Sequence, residues 1–170
     1  MKIKGKVFKF GSNIDTDQIY PGRYLEITDK DEIAKHVLEG ADPSFAKNME
    51  KGDIVVASSN FGCGSSREHA VITLLYSGVG AVIASSFARI FYRNALNLGL
   101  PLITYPGIED LVEEGDSLSI NLDEGYLLIN NQEKKELPDG YRLIKKAAEA
   151  DGLVNLYINK DIDMEEIFYH

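Results

Sequence analysis

Three short apolar runs frame the chain: Ile54-Val55-Val56-Ala57, Ala81-Val82-Ile83-Ala84 and Leu102-Ile103-Thr104-Tyr105. The first two hold no polar residue, as expected of strands covered on both faces. The segments between them have helical periodicity. Ser66 to Ser77 places Ala70, Val71, Leu74 and Leu75 on one face and ends at Gly78. Phe87 to Leu98 turns Phe87, Ile90, Phe91 and Leu98 inward and ends at Gly99. The β-α-β-α-β order predicts a parallel sheet with right-handed crossovers. At 170 residues the chain is long enough for one α/β domain without a disulfide or metal staple.

The flanks are less regular. Ile3 to Phe10 reads as a strand of imperfect alternation, and Gly11 to Thr28 as a long loop rich in Asp, Asn, Pro and Gly. Structureless loops of that length are usually functional. Asp29 to Glu39 reads as a short helix, with capping-box spacing between Asp29 and Glu32 and Gly40 as its stop. Ser117 to Leu122 and Tyr126 to Ile129 read as antiparallel strands around the turn Asp123-Glu124-Gly125. A helix from Tyr141 to Ala150 follows, then a polar tail from Lys160 to His170 expected to be loose. The expected fold class is α/β: a central, mostly parallel sheet flanked by helices, with added antiparallel strands, as a single domain over residues 1–170.

The net charge of −9 makes the chain a poor binder of nucleic acid or membrane surfaces, so any anion site must be built locally. No apolar run approaches the ~18 residues of a membrane span, and the cytoplasm is the expected compartment. The single cysteine, Cys63, cannot form an internal disulfide or hold a four-cysteine iron–sulfur cluster. No metal site is expected in the chain.

The chemistry concentrates in Phe61-Gly62-Cys63-Gly64-Ser65-Ser66-Arg67-Glu68-His69-Ala70, between a buried strand and a helix. Ligands of parallel α/β sheets bind outside the carboxyl ends of the strands. Gly62 and Gly64 let the backbone come close to a ligand. Arg67 supplies a charged fork for a carboxylate, and Ser65 and Ser66 supply hydroxyls. A helix start adds free N–H groups. The same letters have a plain structural reading: Ser65-x-x-Glu68 is a capping box worth ~1 kcal/mol. Cys63 as a nucleophile beside His69 is a weaker alternative. Asp15 and Asp17, in Asn13-Ile14-Asp15-Thr16-Asp17-Gln18-Ile19, are a thin basis for a cation site, and turn formation explains them as well. Arg89 and Arg93 lie four apart on one helix face, as an ion-paired surface or an interface.

Three pieces together resemble the small swivelling domain of the aconitase superfamily: Asp15-Thr16-Asp17-Gln18-Ile19, Asn60 to Ala70, and Ser86-Phe87-Ala88-Arg89-Ile90. The resemblance covers most of residues 1–105. It implies reversible dehydration and hydration of a hydroxy di- or tricarboxylate. It also implies a [4Fe–4S] cluster on a partner large subunit, in a heterodimer or heterotetramer, with no cofactor in this chain. By motif position, Ser65 resembles the base that takes the proton beside a carboxylate. Arg67 resembles the carboxylate clamp, Ser66 a substrate hydrogen-bonding group and Asp17 an active-site carboxylate. Family members vary the residues that read the third substituent, here Tyr24-Leu25-Glu26-Ile27-Thr28. Leu25 and Ile27 can line an apolar slot, while Glu26 would repel a further carboxylate. A branched alkyl group, as on isopropylmalate or a dimethylmalate, fits better than the distal carboxylate of homoaconitate. Two other classes stay open: a non-enzymatic anion-binding module, and an assembly domain with a well-capped helix.

Overall fold

A computed structural model describes residues 1–159. In chain order its elements are β1 (Lys2–Lys9), α1 (Thr16–Ile19), α2 (Lys30–Ala34), α3 (Phe45–Asn48), β2 (Ile54–Ala57), α4 (His69–Ser77) and β3 (Ala81–Ala84). There follow α5 (Arg89–Leu98), β4 (Leu102–Thr104), β5 (Ser117–Asn121), β6 (Tyr126–Ile129), β7 (Glu133–Glu136), α6 (Tyr141–Glu149) and α7 (Leu153–Ile158). Among the described residues the strands form one sheet, ordered β4-β3-β2-β1-β5-β6-β7.

β1 joins the two halves of this sheet, and its irregular pattern follows from that position. Lys2–Lys6 runs antiparallel to β5, while Val7–Lys9 runs parallel to β2. The first stretch exposes Lys2, Lys4 and Lys6, and the second buries the neighbours Val7 and Phe8 on opposite faces. On one side, β2 pairs with β3 and β3 with β4 in parallel; on the other, β5, β6 and β7 are antiparallel. The antiparallel half is thus as large as the parallel one.

Both faces of the parallel strands are covered, as their apolar sequences require. Val55, Ala57, Val82, Ala84 and Leu102 share a core with Val71, Leu74, Phe91 and Ala95. Ile54, Val56, Ala81, Ile83 and Ile103 share the other with Leu118, Ile120, Leu127 and Ile144. Each fully buried Val, Leu or Ile is worth about 1.5–3 kcal/mol, so the sheet is a stiff base for the loops at its edge.

Several expected boundaries move. The Gly11–Thr28 segment is not structureless: it contains α1 and a 3-10 turn at Gly22–Tyr24. α2 stops at Ala34, and Gly40 does not cap it. Leu38 turns the chain at φ 54°, and its amide bonds to the Ile19 carbonyl. α4 starts at His69 instead of Ser66, and α5 at Arg89 instead of Phe87. Phe87 stays extended in a bridge to Phe61; Phe91 is buried and Phe87 and Leu98 pack against the same core, while Ile90 is 50% exposed rather than inward. Arg89 and Arg93 are exposed and make no ion pair among the described residues. β7 and α7 were not expected. The expectation for the tail from Lys160 lies outside the described residues.

The β5–β6 turn is fastened to α6 by charge. Lys145 Nζ lies 2.7 Å from Asp123 Oδ1, and the Met1 ammonium holds Oδ2. Lys145 first, and the ammonium second, lower the Asp123 carboxyl from the ordinary 3.8 to about 2. A depressed acid stabilises the fold fully above its unfolded pKa, and that contribution disappears as pH falls through about 2. An NMR titration should place the Asp123 midpoint near 2, and Lys145→Ala should return it towards 3.8. A wild-type midpoint at the ordinary value would refute the contact.

Candidate active site

The chemistry-bearing segments lie far apart in sequence and are joined by backbone hydrogen bonds. Gly62 N donates to Ile14 O at 2.7 Å, and Thr16 N to Cys63 O at 2.8 Å, flanking a parallel bridge between Asp15 and Cys63. On the other side, Phe61 N donates to Ser86 O at 3.1 Å and Ala88 N to Phe61 O at 2.9 Å. The loop after β2 is therefore held between the loop after β1 and the loop after β3, at the carboxyl ends of three parallel strands. Gly62 makes this possible: its φ is +83°, and a Cβ there would lie 2.2 Å from the Phe91 ring.

Four side chains meet on this frame. Arg67 Nε donates to Ser65 Oγ at 2.7 Å. Thr16 Oγ1 lies 3.1 Å from the same oxygen. Arg67 Nη2 reaches Asp17 Oδ1 at 3.4 Å, and Asp17 Oδ1 also accepts from Gly22 N at 2.8 Å. The Gly22 amide first, and Arg67 beside it, hold the Asp17 carboxyl below the usual carboxylate range, so it is ionised at neutral pH. Ser65 and Ser66 are exposed, while Thr16 is buried. The result is an open shelf carrying a guanidinium and two hydroxyls, with Gly64 in the turn that leads into it.

Ser65, Arg67 and Asp17 are therefore brought together. Ser66 is not bonded to them: its carbonyl accepts from Asn94 Nδ2 at 3.3 Å, and its hydroxyl makes no hydrogen bond among the described residues. Leu25 and Ile27 are half-buried and Glu26 is exposed, just beyond the turn that Gly22 begins. No hydrogen bond or ion pair joins them to Ser65 or Arg67. Thr16 and Gly22 were missed as site residues, although Thr16 was visible between two acids in a quoted motif.

The competing readings of these residues separate on geometry. The capping box at Ser65 does not form: Glu68 is the residue that precedes α4, no side chain caps that helix, and Ser65 bonds to Arg67 and Thr16 instead. A capping box forms at Asp15, which accepts from Gln18 N at 2.7 Å while Gln18 Oε1 accepts from Asp15 N at 3.0 Å. Asp15 is thus a cap, and Asp17 serves Gly22 and Arg67, so the two acids do not act as a cation pair. His69 stacks on Tyr20 with ring centroids 5.9 Å apart and makes no hydrogen bond to Cys63.

This chain belongs to the aconitase C-terminal domain family, whose model matches residues 2–107. It is 52% identical to 3-isopropylmalate dehydratase small subunit 1 of Methanopyrus kandleri, over 91% of each chain. It is also 52% identical to the isopropylmalate/citramalate isomerase small subunit of Methanocaldococcus jannaschii, over 89% of this chain and 91% of that one. The crystal structure of 3-isopropylmalate dehydratase from Methanocaldococcus jannaschii aligns with a TM-score of 0.84 at 45% identity, covering 98% of this chain and 99% of that one.

Two stability measurements test this geometry. Because no side chain caps α4, Glu68→Ala should leave the thermal unfolding of the chain within about 0.5 kcal/mol of wild type, not the ~1 kcal/mol loss expected when a capping box is broken. Gly62→Ala should cost about 2 kcal/mol or more, from the Phe91 collision and the positive φ together. An unaffected Gly62→Ala chain would refute the packing of this loop.

Proposed function

We propose that this chain is the small subunit of 3-isopropylmalate dehydratase, a hydro-lyase that interconverts 2- and 3-isopropylmalate by dehydration and rehydration. The observation that carries this reading is the 2.7 Å bond from Arg67 Nε to Ser65 Oγ, on a chain so similar to small subunits of that name. Ser65 is the base for the proton beside a substrate carboxylate. Arg67, and Thr16 when it donates, place hydrogens on the Ser65 oxygen and so favour its deprotonated form. Arg67 has five N–H donors; one faces Ser65 and one Asp17, leaving others for a substrate carboxylate. Ser66 offers a hydroxyl to the bound acid. Ser65 holds the proton while the alkene exists, and hydration with the opposite regiochemistry gives the isomer.

Loss of the substrate hydroxyl calls for a Lewis acid, and this chain's own residues do not fit one. Cys63 is its single cysteine, and no group of three His, Cys, Asp or Glu among the described residues could hold a metal. We assign the [4Fe–4S] cluster to the large subunit, where, when bound, it supplies Lewis acidity at the leaving hydroxyl. Leu25 and Ile27 face the alkyl group and Glu26 turns away acids with a further carboxylate. The cytoplasm is the proposed setting; among the described residues no helix is long and apolar enough to cross a membrane. A second reading adds citramalate as substrate, favoured by the Methanocaldococcus relative, which is named as an isopropylmalate/citramalate isomerase small subunit.

The test mixes this chain anaerobically with the large subunit encoded nearest to it and follows isopropylmalate, citraconate, dimethylmalate and homoaconitate, with each protein alone as control. Turnover only in the mixture, fastest with isopropylmalate, is expected. Equal rates with citraconate would establish the second reading. Ser65→Ala should lower turnover of the assembled complex by at least about 100-fold. Glu26→Arg should shift selectivity towards homoaconitate by about tenfold or more. An intact cluster with no turnover in any mixture would end the proposal.

A further inference from the structure

One carboxylate outside the active shelf gathers three side chains beside the turn Gly22–Tyr24. Glu39 Oε1 accepts from Arg23 Nη2 and from the Tyr24 hydroxyl, both at 2.9 Å, and Oε2 accepts from His36 Nδ1. The Tyr24 and His36 rings stack with centroids 3.6 Å apart, and the Arg23 guanidinium carbon lies 4.6 Å from the Tyr24 centroid. Burial alone would raise the Glu39 carboxyl, but the hydrogen bonds from His36, Tyr24 and Arg23 hold it below its ordinary range. Both oxygens are engaged, on a side chain still 24% exposed.

The backbone that carries Glu39 is fastened to the helix that carries Asp17. Leu38 N donates to Ile19 O at 2.8 Å and Gly40 N to Gln18 O at 3.0 Å. The contact is close enough that a Cβ on Gly40 would lie 2.6 Å from Gln18 Cα. Residues 38–40 thus grip α1, and the Glu39 side chain reaches across to the turn Gly22–Tyr24. The chain from Asp17 to Tyr24 is an arch held at both feet by one short segment. On its inner side the arch touches the site: Gly22 N bonds to Asp17 Oδ1, and a Cβ on Gly22 would lie 2.9 Å from Arg67 Nη1.

We propose that Glu39 is a positioning residue for the active site: it locks the Gly22–Tyr24 turn and thereby sets the Arg67 guanidinium for the substrate carboxylate. The proposal rests on the function given above, and it touches neither Ser65 nor the substrate directly. Outer-shell supports of this kind typically carry about 10–100-fold effects where they orient a ligand-binding group. The turn bears on the Nη end of Arg67, with Gly22 against Nη1 and Asp17 on Nη2, while Nε serves Ser65, so the effect falls mainly on KM and less on kcat.

In the reconstituted complex, Glu39→Ala should raise KM for isopropylmalate about tenfold with kcat within about twofold. Glu39→Gln keeps an acceptor for Arg23 and Tyr24 and should stay within about threefold of wild type. If Glu39→Ala does not fold, Tyr24→Phe, which keeps the ring stack, should raise KM about threefold. A second readout needs no turnover: the Arg67 Nε–Hε NMR signal of the isolated full chain should shift and broaden in Glu39→Ala. An unchanged KM in the folded variant, or an unmoved Arg67 signal, overturns the proposal and leaves Glu39 a role in folding alone. A wild-type complex inactive on every acid would count against the assigned function, while the NMR comparison would still decide the role of Glu39.

Discussion

Everything at this site depends on two backbone hydrogen bonds, from Gly62 N to Ile14 O and from Thr16 N to Cys63 O. They join loops nearly fifty residues apart into a short parallel ladder beyond the ends of the strands. Only with that ladder in place can Thr16 and Ser65 bring their hydroxyls within hydrogen-bonding range, and Arg67 reach both Ser65 and Asp17. Side chains on two unconnected loops would each bear the entropy of ordering; here the backbone has already fixed them. The ladder in turn rests on Phe61, whose own pairing to the loop after β3 anchors it from the opposite side.

The parallel half of the fold was legible because its strands are covered twice. Four-residue runs without polar alternation, such as Ile54–Ala57, have few other places to go. What the sequence hid were features set by contacts with distant residues. β7 is Glu133-Lys134-Lys135-Glu136, an edge strand with no apolar face to read, held by its ladder to β6. α2 carries a longer helical pattern than it uses, because the amides of Leu38 and Gly40 bond to α1 instead. The start of α5 is hidden for the same reason: pairing of Phe87 with Phe61 keeps two apparently helical residues extended.

At the site, residue types were legible and roles only partly so. Ser65-x-x-Glu68 and Asp15-x-x-Gln18 are the same kind of signal, an oxygen three residues before an acid or amide. One became a cap and the other did not. Asp15 lies at the start of α1 with Gln18 free to answer it, whereas the Ser65 oxygen is already occupied by a guanidinium at 2.7 Å, and α4 begins four residues later. Spacing cannot make that distinction, because the competitor Arg67 acts at short range while the partners Thr16 and Asp17 arrive from another part of the chain. Glu39 shows the limit more sharply: it belongs to no motif, and its importance lies wholly in the three donors that the fold collects around it.

The electrostatics of the shelf also explain why such a chain is built to work with another. The chain carries a net charge of −9, yet its proposed substrate is a dianion. Arg67 is the cation that faces Ser65, and Asp17 already answers part of its charge. In open water a pair of unit charges at 4 Å is worth about 1 kcal/mol, and near a protein surface about 4 kcal/mol. A shelf with Ser65 and Ser66 exposed sits near the weaker limit. Covering it removes water and strengthens the same hydrogen bonds without moving an atom of this chain. Relatives of this length are named as small subunits, so in the function proposed above the cover comes from a different polypeptide. On that view the stiffness of the shelf, from the Gly62 ladder to the Glu39 brace, matters more than its depth: a half-site must hold its shape before the other half arrives.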